Sequence, residues 1–472
     1  MLLSPGTKLY AIWLGLFLIL TAPYLWVKSM FMDGMIYSAI AHNLYLGKGS
    51  FWDLQFTQTL YPQFNEHPPL AMWIQSKFYF LLGDSWVVDK LFSLFTYLVI
   101  ALLIRAIWQQ LGFKKELAWG PLLLWSFIPV VFWASGNNVL ENTMSIFLLS
   151  AVLFLFHYEK SNNYGWVILA GIMLLLGFLT KGFVALYPLS FPFFSYLILK
   201  NKRFSQMLFT SLLLLLSALL PLLLLYFFSN AAHTSLSTYL DKQVVRSISS
   251  IQTVDSRFFI LKRFLSELIP PILIGLLLFL FTRKSYRKID SLQKRNALLL
   301  IAVALAGVLP IMVSMKQSGF YILTVYPLIA LAGGILLNSS FESIFRQMNT
   351  SLLRRRVTLF LSGGVLLTGI LFVVSYFGTP GKDKDKVTPL PEFITAIGND
   401  KMISVCPSMT ADWGLHAYFQ RFGSISLDAN PEFRHDFLLI DHSICDLPED
   451  PIFTPVPNIS DRFFLFKREI QN

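Results

Sequence analysis

Apolar stretches of membrane-crossing length recur along this chain, and short polar turns separate most of them. A helix needs roughly 20 apolar residues to traverse the hydrocarbon core. About eleven stretches are candidates, over 9–28, 86–106, 117–134, 139–157, 164–180, 182–199, 207–228, 264–282, 296–315, 320–338 and 356–377. With 55% hydrophobic and only 14% charged residues, the chain lies outside the range of soluble domains. The expected fold is an all-α polytopic membrane protein. No small-residue cleavage site follows the first apolar stretch, and Tyr24, Leu25 and Trp26 continue it, so it reads as a retained helix and not a signal peptide.

Every second loop is basic. Arg105/Lys114/Lys115, Lys160, Lys200/Lys202/Arg203, Arg283/Lys284/Arg287/Lys288/Lys294/Arg295 and Arg346/Arg354/Arg355/Arg356 alternate with loops poor in cations. Short cytoplasmic loops retain lysine and arginine. This alternation explains much of the formal net charge of +11 without a nucleic-acid partner. It assigns 29–85, 135–138, 229–263, 316–319 and everything after 378 to the outer face.

The first outer loop is too long for a simple connection. From Met32, the residues Met35, Ile36, Ala39, Ile40 and Leu44 recur at helical spacing, and Pro69 to Leu82 is a second apolar run too short to span. Both read as interfacial helices. Pro68 and Pro69 suit the start of the second, where a missing N–H costs nothing. The second long outer segment, 229–263, mixes Tyr239, Asp241, Lys242, Arg246, Asp255, Arg257, Lys262 and Arg263 with apolar residues. It reads as a third interfacial helix whose charges either anchor it to headgroups or grip a lipid phosphate.

After residue 377 the composition becomes that of a soluble domain. A polar linker, Gly378 to Lys386, precedes short strand-like stretches at 403–406, 424–427, 437–440 and 463–466, with helices expected over 391–398 and 412–420. The division is a membrane domain over 1–377 and a small α/β domain over 378–472. Both cysteines, Cys406 and Cys445, lie in this tail, where an oxidising compartment permits a disulfide. No clustered Cys/His pattern, Walker lysine or isolated GxGxxG occurs, which removes zinc-site and soluble nucleotide chemistry from consideration.

The polar residues left at the outer ends of the spans are Asp33, Glu66, His67, Asn137, Asn138, Glu141, Lys181 and Lys316. Each has a plain structural alternative. Rim lysines snorkel to headgroups, a polar residue such as Glu141 can pair helices, and Asn137 and Asn138 can cap the fourth span. A lone histidine is commonly a hydrogen-bond partner rather than a metal ligand or base. Asp33 and Glu66 stand out, because ionisable groups beside a bilayer are costly and no lysine adjoins them in sequence.

The segments Asp33 to Leu44, Glu66-His67-Pro68-Pro69-Leu70, Leu179-Thr180-Lys181-Gly182 and Lys316 to Pro327 resemble, in order and spacing over roughly residues 10–340, the GT-C glycosyltransferases. Within these the resemblance is to the protein mannosyltransferase and aminoarabinose (lipid A) transferase group. It implies a hexosyl or pentosyl transferase that moves a sugar, with inversion, from a polyprenyl-phosphate donor to a lipid, glycan or protein acceptor. The reaction would take place at the periplasmic face of a bacterial inner membrane. It also implies that Asp33 is catalytic. Family members often carry Asp-Glu where this chain has Asp33-Gly34, and Glu-Lys-Pro-Pro where it has Glu66-His67-Pro68-Pro69.

The chemistry agrees with these residue types. An acceptor hydroxyl must lose its proton to a carboxylate, for which Asp33 is the first choice, with Glu66 orienting the acceptor or sharing the role. The leaving phosphate needs positive charge and hydrogen bonds more than a general acid. The expected binding set is Lys181, Lys316 and His67 with Tyr37, Tyr321, Glu141, Asn138, Arg246 and Arg257. No cofactor is certain, and a divalent metal is left open. One rival reading is a lipid-linked sugar flippase or transporter, which should carry ionisable residues near the midplane and repeat-related broken helices. The other is a ligase acting on a polyprenyl-diphosphate glycan.

Overall fold

The computed structural model describes residues 4–246, 251–285, 288–348, 350–447, 452–457 and 459–469. Among the described residues, eight helical stretches are long and apolar enough to cross a membrane. They are Pro5–Leu25, Trp86–Gln110, Leu140–Ser161, Phe204–Phe228, Phe259–Thr282, Ser291–Val313, Gly319–Leu336 and Leu352–Val387. Gly165–Lys181 and Phe183–Leu199 are apolar but shorter. The stretch expected to span over 117–134 is broken into Trp119–Ser126 and Pro129–Ala134. Pro129 disfavours helical geometry at Ile128, which is extended. The chain is a multi-pass membrane protein.

The first helix, α1 (Pro5–Leu25), starts with Ser4 accepting a hydrogen bond from Thr7 N and with proline at its first position. The two long expected loop helices are present as α2 (Met32–Tyr45) and α3 (Leu70–Leu82), followed by α4 (Trp86–Gln110). Lys90, in the first turns of α4, is buried and donates to the carbonyls of Tyr24, Ser29 and Gly136 at 3.0, 2.9 and 2.7 Å. It thereby ties the end of α1 to the turn that precedes α5 (Leu140–Ser161). Next come α6 (Gly165–Lys181), α7 (Asn230–Tyr239) and, near the end of the membrane domain, α8 (Leu352–Tyr376). The outer segment expected as a third interfacial helix is α7, continued by a wider turn over Leu240–Val245. Residues 247–250 of that segment lie outside the described residues.

Helices α1 and α8 approach closely. A Cβ on Gly369 would lie 2.6 Å from Gly15 O, and one on Gly15 would lie 2.5 Å from Val365 O. Small residues at such a crossing let membrane helices meet. The contact returns the chain to the start of α2, where Lys28 N, Ser29 N and Gly378 N bond to Thr379 O, Pro380 O and Trp26 O.

The tail is a five-stranded sheet in the order β2-β1-β3-β5-β4, built from β1 (Met402–Val405), β2 (Ser426–Asp428), β3 (Phe437–Asp441), β4 (Phe453–Pro455) and β5 (Phe463–Arg468). β1 runs parallel to β2 and β3, and β5 runs antiparallel to β3 and β4. The strand β4 had no expectation in the sequence. Cys406 and Cys445 are joined, with Cα atoms 6.6 Å apart. The tail helix α9 (Trp413–Gly423) packs on α2. Every residue of α2 from Gly34 to Asn43 is consequently buried, so α2 is enclosed between the membrane domain and the tail. By contrast, α3 keeps Phe80 and Leu81 exposed, as an interfacial helix does.

Candidate active site

The first turn of α2 carries Asp33, where the helix dipole favours an anion. Its placement depends on the turn before α5. Asn137 Oδ1 accepts from Phe31 N at 2.8 Å. Asn138, with a left-handed φ of 44°, donates its amide to Gly34 O at 3.3 Å, Ser38 Oγ at 2.9 Å and Gln75 Oε1 at 2.9 Å. Neither asparagine caps α5, whose first turn follows Val139 without a side-chain cap. Both instead secure α2.

Glu141, in the first turn of α5, and Lys181, the last residue of α6, form a buried ion pair. The Lys181 ammonium also faces the rings of Phe320 and Tyr321, 5.2 and 4.8 Å from their centroids, a favourable cation–π arrangement. Glu141 Oε2 is buried without a hydrogen-bond partner among the described residues.

Glu141 and Lys181 line a cavity of about 460 Å³ together with His67, Gln243, Lys316 and Tyr321 at its polar end. The rest of its lining is largely apolar and includes Val184, Leu186, Ala306, Pro310 and Ile311. Gln243 is a site residue that the sequence did not reveal. Its amide nitrogen donates to Glu66 Oε2 at 3.1 Å, and its oxygen accepts from Lys316 Nζ at 2.8 Å. Tyr239, one turn earlier, seats its hydroxyl against the Lys181-Gly182 corner. Gly182 there has φ 82°, and a Cβ on it would lie 1.8 Å from that hydroxyl, so this corner requires glycine.

Asp33 is partly buried. Burial raises its pKa, Lys181 and Lys316 pull it back, and Glu66 adds to the rise. His67 is driven well below its ordinary value by burial and then by Lys181 and Lys316. Its Nδ1 has no partner among the described residues, and Tyr37 packs edge-on to its ring at 5.8 Å. Burial and the Glu66 carboxylate push the Tyr61 phenol up to about 12. Lys316 is lowered by burial, against the pull of Glu66.

Of the residues singled out in the sequence, His67, Glu141, Lys181, Lys316 and Tyr321 line one cavity. Asp33 and Glu66 are not in its lining: Glu66 bonds to Gln243, which is, and both carboxylates lie within electrostatic reach of Lys316. Tyr37 and Asn138 do not line the cavity: Tyr37 packs on the ring of His67, and Asn138 bonds to Gly34, Ser38 and Gln75. Arg246 and Arg257 do not line it: Arg246 pairs with Asp241 at 3.1 Å, and Arg257 donates to Val313 O at 2.6 Å. Among the described residues, no three His, Cys, Asp or Glu side chains gather as metal ligands.

The family model described as dolichyl-phosphate-mannose-protein mannosyltransferase matches residues 66–233, a stretch that opens on Glu66 and contains Glu141 and Lys181. No curated protein sequence matches the chain. Among solved structures, ArnT from Cupriavidus metallidurans in the apo state superposes with a TM-score of 0.67 at 15% identity, covering 98% of each chain. The same protein bound to undecaprenyl phosphate gives 0.68, also at 15% identity and 98% of each chain. The oligosaccharyltransferase of Archaeoglobus fulgidus in the apo form gives 0.51 at 14% identity, covering 90% of this chain and 65% of that one. The likeness is one of fold, and it bears out the resemblance to GT-C glycosyltransferases.

Proposed function

We propose that this chain, with its GT-C fold, is a membrane glycosyltransferase that takes a sugar from a polyprenyl-phosphate donor and places it on an acceptor hydroxyl. The observation that carries the reading is the cavity itself, where Lys181 and Lys316 occupy the polar end of an otherwise apolar channel, with Asp33 within electrostatic reach. A lipid chain suits the apolar part and a phosphate the cationic end. Undecaprenyl phosphate, bound in the ArnT structure, is a ligand of this chemistry.

Asp33 acts as base. It accepts the proton of the acceptor hydroxyl, whose oxygen bonds to the anomeric carbon as the bond from that carbon to the phosphate oxygen breaks, with inversion. The electron pair leaves on the phosphate, which Lys316, Lys181, Tyr321 and the neutral His67 receive. Glu66, held by Gln243, orients the acceptor. Losing one principal electrostatic contact of this kind costs about 3 kcal/mol, roughly a hundredfold in rate. The reaction belongs at the periplasmic face of a bacterial inner membrane, and the acceptor is a lipid, glycan or protein hydroxyl.

The test is release of polyprenyl phosphate by the purified protein in nanodiscs, from a panel of polyprenyl-phosphate sugars with candidate acceptors, for wild type and Asp33→Asn. Release that collapses in Asp33→Asn supports the reading, and equal turnover removes Asp33 from the chemistry. Translocation of the lipid-linked sugar without release would favour a flippase, and release of polyprenyl diphosphate a glycan ligase. Loss of activity in EDTA, restored by a divalent cation, would add a metal.

A further inference from the structure

The tail presents a buried arginine to the turn between α3 and α4. Arg421 of α9 is 1% exposed. Its Nε donates to Asp89 Oδ2 at 3.1 Å, Nη1 to Asp84 Oδ1 at 2.8 Å and Nη2 to Ser85 O at 3.1 Å. The guanidinium lies 4.6 Å from the ring centroid of Tyr79. Asp89 is equally buried and also accepts from the Tyr79 hydroxyl and from Gln75 Nε2, the latter at 3.2 Å. Gln75 in turn donates to Ser38 Oγ at 3.1 Å and accepts from Asn138, which bonds to Gly34 O. The path runs from the tail to the residue after Asp33 through side chains that are all buried.

The geometry points to Arg421 as a positioning residue for Asp33, acting through Asp89, Gln75 and Asn138. This inference rests on the reading of Asp33 as base. A buried charge is tolerated only when its partners are fully placed. In a network of this kind, loss of one member leaves the next unsatisfied, so geometry is passed along it. Simple docking of the tail would not need such a chain; the exposed ion pair between Lys48 and Asp400 and the bond from Met30 N to the Tyr418 hydroxyl at 3.1 Å would serve. Asp84 completes the clamp. Although partial desolvation opposes it, the hydrogen bond from His42 and the charge of Arg421 hold its carboxyl down at about 2.

The test uses the full-length protein in nanodiscs with Arg421→Met, Arg421→Lys, Gln75→Met and, as control, Lys48→Ala. Hydrogen exchange of the peptide covering 30–45 reads the position of α2 without requiring activity. Steady-state kinetics on the donor found active in the release assay reads its consequence. Arg421→Met and Gln75→Met should speed exchange at the start of α2 about tenfold and lower kcat by about tenfold to a hundredfold with donor KM within about twofold, since sub-ångström misplacement of a base acts on the chemical step. Arg421→Lys should recover part of the loss, and Lys48→Ala should match wild type in both readouts. If Arg421→Met does not fold, Gln75→Met carries the test, because it leaves the Arg421 and Asp89 pair in place.

Unchanged exchange in a folded Gln75→Met or Arg421→Met protein overturns the inference, as does a change confined to donor KM. Faster exchange in variants of a wild type that releases no polyprenyl phosphate from any donor supports the mechanical link and sinks the reading of Asp33 as base instead.

Discussion

The main-chain oxygen of Asn137 lies 1.9 Å from where a β-carbon on Gly34 would sit. A side chain there would require the Asn137 turn to shift, so the present geometry holds the residue after Asp33 to glycine. Gly34→Ala should push the first turn of α2 away from the Asn137 turn. Overpacking of this kind costs about 1–3 kcal/mol. Thermal unfolding in detergent should show a lower Tm, and polyprenyl phosphate release should fall by at least about tenfold through misplacement of Asp33. An active, equally stable Gly34→Ala protein would show that the turn yields easily.

Glu141 and Lys181 should separate stability from donor binding. Removing one partner of a buried pair leaves an uncompensated charge and costs about 3–5 kcal/mol, whereas replacing both by apolar groups is often neutral. Lys181→Met alone should therefore unfold at a markedly lower temperature than Lys181→Met/Glu141→Leu. If Lys181 receives the phosphate, the double variant should regain stability but still bind donor at least tenfold more weakly, about 1.4 kcal/mol. Recovery of both would make the pair purely structural.

Gln243 links three segments through two hydrogen bonds. A net hydrogen bond to a charged group contributes about 1.5–3 kcal/mol. Gln243→Ala should loosen Glu66 and Lys316 together and raise the KM of donor, acceptor or both by about tenfold or more, with a lower Tm but a folded protein, because α7 stays anchored by Tyr239. Initial-rate kinetics with each substrate varied in turn would decide it, and unaltered KM values would reduce the bridge to a resting contact.

The pH dependence should have two parts, one in activity and one in stability, and both should rise with pH although the two pKa shifts run in opposite directions. Asp33 is raised by burial, drawn back by Lys181 and raised further by Glu66. As a base it must be ionised, so kcat/KM should climb with pH along a limb above the ordinary 3.8. Glu66→Gln removes a raising charge and should move that limb to lower pH. His67 is depressed below 6.5 and stays neutral in the fold. The unfolded chain takes up that proton more readily, so the contribution of His67 to stability is present above about 6.5 and lost as pH falls toward its folded value. Tm measured between pH 5 and 8 should therefore decline on the acid side, less steeply in His67→Gln; an identical slope in the variant would assign the decline to other groups.

Hydrophobic patterning along the chain was enough to identify a polytopic helical membrane protein, the helices α2 and α3 with the latter starting just after Pro69, and the strands β1, β2, β3 and β5. Those features are local: the solvent, whether bilayer or water, selects each segment by its own apolar content. The same reasoning brought forward Asp33, Glu66, His67, Glu141, Lys181 and Lys316, because charge at the rim of a span is costly wherever the span packs. Tertiary structure decided their relations. It paired Glu141 with Lys181, turned Arg246 and Arg257 to local partners, set Gln243 between Glu66 and Lys316, and brought Arg421 to Asp89 across 332 residues of sequence. Such contacts depend on which faces of distant helices meet and how closely glycines such as Gly15, Gly34 and Gly369 let them approach, and no window of sequence contains that packing.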